Sequence, residues 1–343
     1  MFALESFNNI HKHLDTQLSL APIQGITNHI FRNALHKHIG GVDKYYAPYL
    51  RIDKEKHFRP SKQYDILPEN NPDLTLIPQI MVNNSADFLK LAEFIESLGY
   101  TELNWNLGCP YPMVTNRKLG AGLLPHHTTI IEILNHVLPK IKISVSIKMR
   151  SGLTDDTELE KLLPKLNPFP LSEIIIHPRF AKQLYKEKAN PELFKACSHL
   201  SAHQLAYNGD VFSPDSFRTY KKQIPAIDHF MLGRGLVANP FLARQIRSAK
   251  GFDIQEASEQ FQSFHNELFE NTQKMLRSEG QTLLRMKSYW GYFSHGFSNN
   301  RKAYKLIKKS NSFNKYHEAT RRIFKEQSLL LQPYNRNDNN IDE

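Results

Sequence analysis

Short apolar runs recur along the first 240 or so residues, each ending in a polar, turn-forming junction. They fall at residues 18–23 (LSLAPI), 44–52 (KYYAPYLRI), 74–81 (LTLIPQIM), 101–110 (TELNWNLGCP), 143–150 (ISVSIKMR), 173–179 (EIIIHPR), 203–210 (HQLAYNGD) and 229–234 (HFMLGR). Several are nearly continuous rather than alternating, as parallel strands covered on both faces require. The stretches between them change period. In 85–98, Phe88, Leu91, Ala92 and Ile95 recur at helical spacing and Gly99 closes the helix, and 28–38 and 128–138 read as helices too. Eight strands alternating with helices predict an α/β fold, a (β/α)8 TIM barrel over roughly residues 15–245. The barrel is assigned to a catalytic domain at 1–250. Beyond it, Phe261, Phe264 and Leu268 form an apolar helical stripe that opens a smaller all-helical C-terminal domain, 251–331. The polar end, 332–343 (QPYNRNDNNIDE), is expected to be a disordered tail.

Composition narrows the class. With 343 residues, 40% of them apolar, the chain can bury an ordinary core in two domains. Two cysteines, Cys109 and Cys197, supply neither a disulfide framework nor a Cys-rich zinc site. The N-terminal stretch is interrupted by Glu5, Asn8, Asn9, His11 and Lys12, so it lacks a signal-peptide core, and no run approaches the ~20 apolar residues of a spanning helix. These features predict a soluble cytoplasmic protein with no metal and no membrane partner, and a monomer.

Charge changes the picture most. Residues 281–325 hold eleven Lys or Arg, among them Arg285, Lys287, Lys305, Lys308 and Lys309, against a single acid, Glu318. That block carries the whole net charge of +10 and predicts a polyanionic partner. The interleaved Tyr289, Trp290, Tyr292, Phe293, Tyr304 and Tyr316 suggest stacking on nucleic acid.

The chemically notable residues fall where barrel strands end. Gln24, Gln79, Cys109, Lys148, His177, the 208–210 triplet Asn208-Gly209-Asp210 and the 233–235 triplet Gly233-Arg234-Gly235 all lie at or just past a C-terminal strand end, the rim on which barrel active sites are built. Singly each has a plainer reading: a surface lysine, a satisfied core histidine, ordinary turns. Seven at one rim point to a site. The last two triplets match the usual phosphate position, where glycines admit backbone N–H groups and Arg234 pairs with oxygens. Pro110 stops the fourth strand and leaves the Cys109 thiol at its end, with Asn104 and Asn106 on one face of the pleat. Lys148 suits a ring that becomes anionic on reduction, as a flavin does.

Taken in order, APIQGITNHIFR, PQI, NWNLGCP, KMRSG, IIIHPR, AYNGD and LGRG resemble the tRNA-dihydrouridine synthases over nearly the whole chain, most specifically in the N-x-N-x-G-C-P element. The resemblance implies an FMN-dependent barrel that reduces the 5,6 double bond of uridines in tRNA, with NADPH or NADH as reductant. It implies that reduced FMN gives a hydride to C6 and Cys109 a proton to C5. The flavin would lie against Pro22, Ile23, Gln24, Gln79, Lys148, His177, Asn208, Gly209, Asp210, Gly233 and Arg234. Asn106 and Arg179 would face the base, and the helical domain would grip tRNA. An ordinary thiol, with a pKa of about 8.5, is protonated at neutral pH and fits the acid role. Asn28 stands where the family often has Asp and receives no role. Two alternatives are an FMN barrel acting on a free pyrimidine, of the dihydroorotate dehydrogenase type, and an RNA-binding barrel without chemistry. The first leaves the basic block unexplained and the second leaves Cys109 and Lys148 idle.

Overall fold

The strands of the computed structural model, which describes residues 16–52, 60–248 and 253–331, are all parallel and follow the predicted runs. They are β1 (Gln17–Leu20), β2 (Lys44–Tyr46), β3 (Leu76–Ile77), β4 (Gln79–Ile80), β5 (Glu102–Leu107), β6 (Ser144–Gly152), β7 (Leu171–Phe180), β8 (Leu205–Tyr207) and β9 (His229–Leu232). The order β3-β2-β1-β9-β8-β7-β6-β5-β4 leaves β3 and β4 at the two edges. These two are one predicted strand broken at Pro78, which has no N–H to give a neighbour; its carbonyl accepts from Asn104 N at 2.9 Å. The break therefore closes the ring, and the fold is an eight-stave barrel. Its staves are apolar on both faces because helices cover the outside: Trp105, Ile147, Ile174 and Phe230 are all fully buried.

The covering helices are α1 (His29–His38), α2 (Ser85–Ser97), α3 (His127–Val137), α4 (Thr157–Leu166), α5 (Pro191–Ser198), α6 (Pro214–Gln223), α7 (Arg234–Ala238) and α8 (Leu242–Arg247). In α2 the predicted stripe Phe88, Leu91, Ala92 and Ile95 is buried, Asn84 caps the first turn, and Gly99 takes φ +86° just past the end. Asn28, without a role in the sequence reading, caps α1 by accepting from Phe31 N at 3.1 Å.

The chain then builds four long helices, α9 (Ile254–Leu276), α10 (Glu279–Phe293), α11 (Asn300–Lys309) and α12 (Phe313–Glu326). One continuous buried cluster joins them to the barrel. Phe31 of α1 stacks on Tyr289 of α10 at 5.7 Å and meets Phe264 of α9 edge-on at the same distance. Tyr289 donates to the Ile26 carbonyl (3.1 Å), and Arg285 donates to the Gly25 carbonyl. The helical unit therefore grips the β1–α1 loop, whose Gln24 lines the barrel mouth. Among the described residues no helix is long and apolar enough to cross a membrane.

Candidate active site

Strand β5 delivers the thiol, and an amide ladder holds its turn. Asn106 accepts from the backbone N–H groups of Gly108 (2.9 Å) and Cys109 (3.0 Å) and donates to Gln79 Oε1 at 2.7 Å. Gln79 in turn donates to Asn104 Oδ1 (2.8 Å), and Asn104 to Ser146 Oγ (3.0 Å). Gln79, expected against the flavin, is fully buried beneath the mouth with both amide atoms engaged. Asn106 lines the mouth, but its carbonyl oxygen is committed to the thiol's own turn. Gly120, at φ +55°, presses on Cys109: a Cβ there would lie 2.8 Å from the Cys109 Cβ. Burial pushes the Cys109 thiol up from its ordinary value, against the Tyr111 N–H and the nearby Arg150, Lys148 and Arg51. At neutral pH it is a protonated thiol at an open mouth, able to give a proton.

Around it stands a cationic cluster. Lys148, Arg150, Arg179 and Arg234 line the same cleft as Cys109, with Asp210 the single carboxylate among the lining residues. The backbone of Asp210 is left-handed at φ +37°, which aims its carboxylate inward. One oxygen accepts from Arg179 and from Ala189 N (2.8 Å), the other from Arg234 at 3.3 Å. Arg179, 2% exposed, spends its other donors on Glu187 O (2.7 Å) and His177 Nε2 (2.9 Å). Asp210 and Arg179, expected to touch a ligand, both line the cleft and also brace each other across its wall. His177 is held neutral, well below 6.5, by burial and then by Arg150, Lys148, Arg179 and Arg234. Its Nε2 faces an obligate donor, so the remaining proton sits on Nδ1. Lys148 is pushed down to about 7, first by burial and then by Arg150.

Pro22, Ile23, Gln24, Asn208, Gly209, Gly233 and Arg234 all line the mouth. The glycines there are spatially required: a Cβ on Gly209 would come 2.7 Å from Ala189, and one on Gly235 would come 2.1 Å from the Val211 carbonyl. The sequence reading missed Arg150 and Tyr185. Arg150 stands two residues along β6 from Lys148, on the same face, and period two alone would have found it. It donates to the carbonyls of Phe180 (3.1 Å) and Leu184 (2.8 Å) and so pins the loop that brings Tyr185 in. The Tyr185 ring lies 4.2 Å from the Arg234 guanidinium and 5.2 Å from that of Arg150.

Lys148 carries a test. Its folded value lies below its ordinary 10.5, so the unfolded chain holds more protons between pH 7 and 10.5. The resulting cost is full below pH 7 and fades as pH rises through that window. Lys148→Met should therefore stabilise the ligand-free protein at pH 7, on the order of 1–3 kcal/mol, with the gap closing toward pH 10.5 in thermal melts. Equal melting temperatures at pH 7 would mean the ammonium is well solvated.

The basic block divides. Lys305, Lys308 and Lys309 are exposed on α11, and Lys287 is half-buried on α10. Arg285, expected on RNA, reaches inward to Gly25. The aromatic reading is corrected: Tyr289, Trp290, Tyr292, Phe293 and Tyr316 are buried, and only Tyr304 of that set keeps appreciable surface. They build the helical core, in which Trp290 Nε1 donates to Tyr316 Oη at 2.8 Å and Tyr316 meets His265 at 2.7 Å.

The family model described as dihydrouridine synthase matches residues 19–330. The tRNA-dihydrouridine(16) synthase of Aquipseudomonas alcaligenes is 28% identical over 248 residues, covering 68% of this chain and 76% of its own. That of Neisseria meningitidis serogroup B is 27% identical over 297 residues, covering 82% and 87%. The tRNA-dihydrouridine synthase B of Pseudomonas aeruginosa is 26% identical over 236 residues, covering 68% and 69%.

Proposed function

We propose, since the chain belongs to the dihydrouridine synthase family, that it reduces the 5,6 double bond of a uridine in tRNA to dihydrouridine in the cytoplasm. The observation that carries the chemistry is the cationic cluster beside a protonated thiol. Lys148, Arg150, Arg179 and Arg234 face one carboxylate in a cleft, and such an excess is costly unless an anion joins it. A flavin mononucleotide fits: its phosphate would meet Arg234 and the backbone of Gly209, Gly233 and Gly235. Its ring would lie against Pro22, Ile23 and Gln24, with the Nδ1–H of His177 and the Lys148 ammonium as donors. When bound, the flavin supplies the hydride for C6, with NADPH or NADH as its reductant. Cys109 delivers the proton to C5, held in place by the two N–H groups that Asn106 ties down.

The direct test is to incubate the purified protein with FMN, NADPH and unmodified tRNA and map dihydrouridine. Two of the relatives above carry position 16 in their names, so that position is mapped first. No dihydrouridine at any position would end the reading. The exposed face of α11 adds a second expectation. Replacing Lys305, Lys308 and Lys309 by Ala should raise KM for tRNA and flatten its salt dependence, the slope of log K against log salt falling by about 0.7–0.9 for each phosphate no longer neutralised. Flavin reduction should not change, since the mouth is untouched. An unaltered slope would remove this face from the binding site.

A further inference from the structure

The mouth does not end at the barrel rim. A groove continues from it along the seam between the β1–α1 loop and the turn joining α9 to α10. Gln24 lines both the mouth and the first part of this groove, where Gly25 and Ile26 face Leu276, Leu284 and Arg285. The next hollow, about 710 Å³, follows on along both walls. On the barrel side it is lined by His29, Asn33 and Tyr64, and on the helical side by Asn271, Lys274 and Arg277.

Its chemistry is specific. Tyr64 is 50% exposed and stands edge-on to the His29 ring at 5.3 Å, so an aromatic surface is offered to solvent beside a second ring. Lys274 and Arg277 are exposed and form no ion pair among the described residues. The amide of Asn271 supplies both a donor and an acceptor. An aromatic surface, two unpaired cations and an amide in one hollow are the parts that hold an unpaired nucleotide: ring for base, cation for phosphate, amide for base edge. The hollow shares no lining residue with the mouth and is reached from it along the groove that begins at Gln24, so it lies off the reacting base, on the side where neighbours on the same strand would pass.

We infer that this hollow binds an unpaired nucleotide flanking the target uridine, by stacking on Tyr64 and by phosphate contacts to Lys274 and Arg277. The inference rests on the tRNA reading above. Holding a neighbour there bears on which nucleotide arrives at Cys109, so the hollow contributes to the choice of position as well as to affinity.

The test uses the full-length flavin-loaded protein and unmodified tRNA. The triple variant Tyr64→Leu, Lys274→Gln, Arg277→Gln should raise KM for tRNA about tenfold, the lower range for one stacked base. Turnover at saturating tRNA and the rate of flavin reduction by NADPH should stay as in wild type. Tyr64→Phe, which keeps the ring, should behave as wild type. Ultraviolet cross-linking of wild-type protein to tRNA should join the Tyr64 peptide to a nucleotide next to the modified one. If Tyr64→Leu fails to fold, the exposed pair Lys274→Gln, Arg277→Gln should still raise KM. Unchanged KM for tRNA in these variants, with wild type active, overturns the inference. So does a raised KM for NADPH with tRNA unaffected, which would give the hollow to the reductant's nucleotide. A wild-type protein inactive on tRNA defeats the functional reading, whereas the cross-link reports on the hollow independently of reduction.

Discussion

Cys109→Ala should bind flavin and tRNA as wild type does and lose turnover by about 10²–10⁴-fold, the usual contribution of a general acid. The turn that presents the thiol is held by backbone contacts that alanine keeps: the N–H of residue 109 donates to Asn106 Oδ1 at 3.0 Å, and Ala121 N–H donates to its carbonyl at 3.1 Å. Only proton delivery is removed. The pH profile gives an independent reading. Burial raises the thiol above its ordinary value and its protonated form is the active one, so kcat should be flat through neutral pH. It should fall only above about pH 9, as the proton is lost. Rapid single-turnover oxidation of the reduced flavin by tRNA in Cys109→Ala would place the proton source elsewhere. A falling limb near pH 7 in wild type would shift attention to Lys148, whose ammonium burial pushes down to about 7.

The barrel was legible because both faces of its staves are covered. Runs such as 174–176 (III) have no polar face to lose, and their spacing left room only for helices. Pro78 marked the third stave, yet a proline inside an apolar run does not say that the ring closes there; pairing across the sheet does. At the site, residues on strand ends were legible and residues brought in by loops were not. Tyr185 lies five positions past the end of β7 and reaches the mouth only because Arg150 binds two carbonyls of that loop. Gly120 is eleven positions beyond Cys109 and touches it through a turn with no periodicity. For Gln79, Asp210 and Arg179 the placement at strand ends was legible but the hydrogen-bond partners were not. Each has its polar atoms drawn to a neighbour on another strand or loop, which one-dimensional spacing cannot convey. The aromatics of α10 show a different failure. Tyr289 and Phe293 sit four apart, the spacing of a buried stripe, and the surrounding positive charge obscured that simpler reading.

Asp210 carries the other large expectation. Its carboxylate balances Arg179 and Arg234 within a cleft that also holds Lys148 and Arg150. Asp210→Asn keeps the side-chain shape, retains an acceptor for Ala189 N–H, and suits the left-handed backbone at φ +37°. What it removes is the charge. Breaking one partner of a buried ion pair costs about 3–5 kcal/mol, since the remaining cation is left uncompensated. The flavin-free variant should therefore melt roughly 4–7 °C below wild type, since a chain of 343 residues unfolds with an entropy of about 0.7 kcal/mol/K at ~2.1 cal/mol/K per residue. An added anion should then do more for the variant than for wild type, because it replaces the missing charge. In paired melts, inorganic phosphate or FMN should close most of the gap, while sodium chloride at equal ionic strength closes less. Were Asp210 instead a direct cofactor contact, the order would reverse: the variant would melt near wild type without flavin and gain less from FMN. Equal responses of both proteins to phosphate would show that the four cations are neutralised elsewhere, and the anion site would have to be sought away from Arg234.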